Sequence, residues 1–131
     1  MQYQSKRHSV FPLHVHLVFV TKYRKKIFKQ HHLHSLNSIF SDVSKNLSST
    51  LIQFEGTSDH VHLLLSYNPM ISLSQLVNRL KGVSSRLIRQ RYQEIRLSFK
   101  KNCLWSPSYF ASSCGGAPIE ILKNYIQNQS K

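Results

Sequence analysis

An α+β domain of order βαββαβ, with one further helix after it, is what three features of this sequence predict. Apolar runs of strand length stand at 13–20, 51–55, 60–67 and 104–113. Stretches with apolar residues every third or fourth position separate or follow them. Gly, Pro, Asn and Ser punctuate the joins.

Each element has its own warrant. Residues 1–12 are a polar, irregular lead-in. Residues 13–20 are rich in Val, Leu and Phe and predict a buried strand. Thr21-Lys22-Tyr23-Arg24-Lys25-Lys26 closes it with a basic cluster. Leu33, Leu36, Phe40, Val43 and Leu47 then mark one face of a helix. Residues 51–55 predict a second strand, Gly56-Thr57-Ser58-Asp59 a turn, and 60–67 a third strand stopped by Asn68-Pro69. Ser72 with Gln75 is a capping-box signal. Leu73, Leu76, Val77, Leu80, Val83, Leu87 and Ile88 follow it at helical spacing. Residues 92–103 favour no element. Residues 104–113 predict a strand with Trp105, Tyr109 and Phe110, at an edge or a bulge because of Pro107. After Gly115-Gly116, Pro118 suits the first turn of a last helix with Ile119, Leu122 and Ile126 on one side. The order is that of a ferredoxin-like antiparallel sheet with helices on one face, plus a C-terminal helix. Its 131 residues suit a single domain, 1–131, with one core.

Charge narrows the partners. Lys and Arg total 18 against 5 acids, a formal net charge of +13. Spread along the chain, that excess predicts a polyanionic partner, nucleic acid before an anionic membrane. Asp42, Glu55, Asp59, Glu94 and Glu120 are the only acids. A catalytic carboxylate pair is thus nearly excluded by supply, Glu55 with Asp59 excepted. Cys103 and Cys114 lack zinc-site spacing and read as reduced thiols. No apolar run approaches a membrane span. A cytoplasmic protein is expected.

Asp59-His60-Val61-His62-Leu63 is the segment richest in chemistry. Residues two apart on a strand share a face, roughly 7 Å apart along it. His60 and His62 can therefore offer two imidazoles to one divalent metal. The spacing alone leaves open that they are ordinary half-buried histidines, since His14-Val15-His16 repeats it on the first strand. Glu55 or Asp59 could orient an imidazole. Of six tyrosines, Tyr125 is followed four residues later by Gln129, so phenol and amide share a helical face. Oxygen donors beside imidazole would suit Mg²⁺ or Mn²⁺.

Five segments, in order, carry a family resemblance. They are His16-Leu17-Val18-Phe19-Val20-Thr21-Lys22-Tyr23-Arg24, Asp59-His60-Val61-His62-Leu63, Leu80-Lys81-Gly82-Val83-Ser84-Ser85-Arg86, Leu104-Trp105-Ser106-Pro107-Ser108-Tyr109-Phe110, and Tyr125-Ile126-Gln127-Asn128-Gln129. The chain resembles the single-tyrosine HUH transposases of the smallest bacterial insertion sequences, the TnpA type. The resemblance covers nearly all of it.

That resemblance implies a single-stranded DNA transposase acting at hairpin-bearing element ends. It implies His60, His62 and Gln129 as ligands of Mg²⁺ or Mn²⁺, and Tyr125 as the nucleophile that forms a 5′-phosphotyrosine. It also implies a homodimer in which active sites can be shared between subunits. The basic residues Lys22, Arg24, Lys25, Arg79, Lys81 and Arg86 are expected to contact DNA, as is Tyr23, which could stack a base. Gly82, between Arg79 and Arg86, could admit a close approach. Two other readings stand beside this one: a domesticated HUH nuclease acting on repetitive hairpins, and a non-catalytic ferredoxin-like nucleic-acid-binding module.

Overall fold

A computed structural model describes residues 12–114, together with Lys123, Asn124 and Gln127, whose backbone is helical. Strand β1 is Leu13–Val20 and is followed by a 3₁₀ turn, Lys22–Arg24. Helix α1 is Gln30–Asn46, β2 is Thr50–Gly56 and β3 is His60–Tyr67. Helix α2 is Leu73–Arg91, α3 is the short Gln93–Arg96, and β4 is Phe110–Ser113.

The four strands form one antiparallel sheet in the order β2-β3-β1-β4. This is the expected ferredoxin-like arrangement. β1 and β3 pair without a break from Leu13↔Tyr67 to Val20↔His60. The β2–β3 register shifts once, between Leu51 and Gln53. Strand alternation then sorts the side chains. Val15, Leu17, Phe19, Val61, Leu63 and Leu65 face the helices and join one core with Leu36, Phe40, Leu76, Leu80 and Ile88. His16, Val18, His60, His62 and Leu64 alternate with them and belong to the opposite face.

The cap signal is built as the sequence predicts. Ser72 Oγ accepts from the Gln75 backbone N–H, and Gln75 Oε1 accepts from that of Ser72, both at 3.1 Å. Two donors that the helix would leave unpaired are thereby satisfied.

The expected strand over 104–113 forms only in its last four residues. Trp105 makes an isolated bridge to Thr21 and places its ring in the core against Phe19, Phe28 and Phe40. Its indole N–H donates to Ser84 Oγ at 2.9 Å. Pro107 has no N–H for a ladder. Lys81 Nζ also draws the Ser106 and Pro107 carbonyls towards α2, at 2.6 and 3.3 Å. Pairing resumes at Phe110, on the sheet's edge. The 92–103 stretch contributes α3 and then Phe99, which is buried. The lead-in through residue 11, the Gly115-Gly116 break and Pro118 lie outside the described residues.

Candidate active site

The Thr57–Asp59 turn delivers His60 and His62 to the face of β3 away from the helices. Their rings stand 5.1 Å apart, nearly perpendicular at 76°. His60 Nδ1 lies 2.8 Å from Asp59 Oδ1 and 2.9 Å from Thr57 Oγ1. A carboxylate only accepts, so the proton sits on Nδ1 and the Nε2 lone pair is left to the site. Asp59 is itself held. Its carbonyl accepts the Thr21 N–H at 2.9 Å, and Arg24 Nε lies 3.4 Å from Oδ2. Burial pushes the Asp59 carboxyl up. The His60 hydrogen bond and the Arg24 charge more than reverse that, leaving it below its ordinary value. Of the two acids proposed to orient an imidazole, Asp59 takes that place. Glu55 instead accepts from Gln53 Nε2 at 2.9 Å.

His62 is deeper, 4% exposed. Its partner is a residue that spacing made look like a decoy. His16 Nε2 lies 2.9 Å from His62 Nδ1, and the two rings lie nearly parallel, 19° apart with centroids separated by 5.1 Å. Phe110 on β4 meets His16 edge-on at 5.9 Å. The signal for His16 exists only once β1 and β3 are paired, because Val18 opposes His62 and places His16 one diagonal step away. Burial, then the neighbouring His16 and His60, push His62 down to about 4, and burial lowers His16. His62 is therefore neutral at pH 7. Its Nε2 is buried and has no hydrogen-bond partner among the described residues. A cavity of about 340 Å³, lined by His16, Val18, Val20, Arg24, His60, His62 and Phe110, opens over these rings.

The same architecture recurs in known proteins. A profile of the family described as "Transposase IS200 like" matches residues 9–129. The chain belongs to the IS200-like transposase family. The ISDra2 transposase TnpA of Deinococcus radiodurans is 30% identical over 120 residues, 92% of this chain and 86% of that one. The transposase for insertion sequence element IS200 of Salmonella typhimurium is 25% identical over 126 residues, 96% and 82% of the two chains. A crystal structure of a candidate transposase from Deinococcus radiodurans R1 superposes with a TM-score of 0.77 at 28% identity, covering 97% and 98%. A REP-associated tyrosine transposase bound to a REP hairpin shares the fold, with a TM-score of 0.61 at 9% identity over 95% and 68%.

In this transposase the candidate DNA contacts fall into four groups. Lys22, Tyr23 and Lys25 line a second cavity, about 410 Å³, with Phe99, Lys100 and Lys101. Arg24 faces the histidine cavity instead. Tyr23 and Arg24 both have left-handed backbone, φ 62° and 52°, uncommon for non-glycine residues. Thr21 Oγ1 donates to the Lys25 carbonyl at 2.8 Å and helps hold that turn, which displays the Tyr23 ring at 77% exposure. Arg79 and Arg86 are exposed on α2. Lys81 differs: its ammonium is engaged by the 106–108 carbonyls and lies over the Phe19 and Tyr109 rings. At Gly82 an added Cβ would meet nothing within 4 Å, so no close approach within the described residues requires that glycine. Tyr125 and Gln129 lie outside the described residues.

A second histidine cluster invites a metal reading and does not support it. Donor atoms of His31, His32 and Glu94 lie within 4.8 Å of one another. His32 Nδ1, however, accepts the Lys29 backbone N–H at 3.0 Å. The proton must then sit on Nε2, which donates to Glu94 Oε2 at 2.9 Å. That nitrogen has no lone pair to give. The contact ties α1 to α3.

Proposed function

We propose that this transposase cuts and rejoins single-stranded DNA at hairpin-bearing element ends, using Tyr125 as nucleophile and His60, His62 and Gln129 as ligands of Mg²⁺ or Mn²⁺. One observation carries the metal part. Both β3 histidines have Nδ1 engaged by the protein, and the buried Nε2 of His62 has no hydrogen-bond partner among the described residues. A buried polar atom without a partner is costly, and two imidazoles at one cavity suit a divalent cation.

When bound, the cation would neutralise charge on the non-bridging phosphate oxygens. The chain's residues do the rest. The Tyr125 oxygen forms a bond to phosphorus as the bond to the 3′ oxygen breaks. The phenol proton goes to solvent, and the departing oxygen takes one up. A free tyrosine has a pKa near 10, roughly three units above neutral, so the phenolate needs that help. The phosphotyrosine conserves the ester, and a later 3′-OH can reverse the step without a nucleotide cofactor. Lys22, Tyr23, Lys25, Lys100 and Lys101 supply a basic, aromatic face for the flanking strand. Arg24, Arg79 and Arg86 add charge. A homodimer with shared sites belongs to the same proposal.

The test is cleavage of a labelled single-stranded hairpin with Mn²⁺. Wild type should cut, and His60→Ala should lose about 100-fold or more in rate, as wild type should in chelator. Undiminished cleavage by His60→Ala in chelator would remove the metal from the account.

A further inference from the structure

We propose that His16 is a positioning residue for His62: it accepts the His62 Nδ1 proton and so aims the His62 Nε2 lone pair at the metal position. The proposal rests on the metal reading above.

Two protonation patterns fit a 2.9 Å contact between His16 Nε2 and His62 Nδ1. If His16 donated, His62 would carry its own proton on Nε2. That N–H would be buried and would have no acceptor, because His62 Nε2 has none among the described residues. If His62 donates, Nε2 presents a lone pair to the cavity and a cation can use it. The second pattern leaves no buried proton on His62 Nε2 in need of an acceptor. It also matches His60, whose Nδ1 proton goes to Asp59.

The two supports differ in charge. His60 leans on a carboxylate and His62 on a neutral ring. His16 and His62 are each 4% exposed, so little water competes for the bond. Phe110, set at 70° to the His16 ring, and the near-parallel setting of the two imidazoles hold this geometry. The first-strand histidine pair therefore divides: His16 belongs to the site, whereas His14 does not line its cavity.

Full-length protein should be titrated with Mn²⁺ alone, by calorimetry and by the Mn²⁺ electron-spin signal. His16→Phe keeps a ring and removes the acceptor. His16→Gln keeps an acceptor close to the Nε2 position. His60→Ala is the ligand control. His16→Phe should bind Mn²⁺ about 10- to 100-fold more weakly. His16→Gln should stay within about threefold of wild type, and both should melt near wild type without metal. Wild-type affinity in His16→Phe, with loss in His60→Ala, would overturn the His16 role and leave the metal reading standing. No Mn²⁺ binding by wild type would overturn both. Should His16→Phe not fold, a nitrogen-edited NMR spectrum of the wild-type histidines decides. Protonated Nδ1 on His62 is expected, and protonated Nε2 refutes the proposal.

Discussion

Asp59, His16 and His62 give this site its pH dependence. His62 has an ordinary value of 6.5 and is pushed down to about 4 by burial and its histidine neighbours. Between those values the unfolded chain binds a proton that the folded chain refuses. Stability should therefore fall as pH drops from about 6.5 towards 4, and His16, also lowered, adds in the same direction. Asp59 acts lower. Its folded value lies beneath 3.8, so its contribution is present above that and lost only in stronger acid. Urea midpoints of the metal-free protein should decline across that upper window; a flat profile would contradict the burial of these rings. The sequence exposed His60 and His62, because strand spacing needs only local pattern. It could not separate His16 from His14. That distinction depends on which residue opposes which across β1 and β3, a long-range fact.

Elements were legible where one period dominates. β1 and β3 fall at their expected bounds, 13–20 and 60–67, since each is an apolar run ended by turn chemistry. The α2 cap was legible because Ser72 and Gln75 act locally. The 104–113 segment was not. Its aromatics read as a strand, yet Trp105 serves the core and Lys81 holds the next carbonyls away from the sheet. Gly82 gives an element-scale prediction. It sits mid-helix, exposed, with space for a methyl group. Gly82→Ala should raise stability by about 0.5–1 kcal/mol in denaturant unfolding, by reducing the freedom of the unfolded chain. A loss of stability would mean that Gly82 meets something beyond the described residues.

At the scale of the whole molecule, the βαββαβ sheet divides labour between its faces. One face is spent on the core beneath the helices, and the other carries the histidines. Among the described residues no helix is long and apolar enough to cross a membrane. The +13 charge sets how this surface meets a polyanion. Hairpin binding, with or without Mg²⁺, should weaken steeply with salt. If six or more phosphates are contacted, the loss should be roughly a thousandfold between about 50 and 200 mM. A filter-binding series that changed by less than about tenfold would argue against the basic face as the docking surface. The central claim is that Tyr125 takes the DNA covalently. A single-stranded hairpin that traps the cleaved state should be incubated with Mn²⁺ and the protein, and the peptides weighed. A nucleotide adduct on the Tyr125 peptide is expected, absent in Tyr125→Phe and absent with chelator. An adduct that persists in Tyr125→Phe, or that maps to another residue, would contradict it.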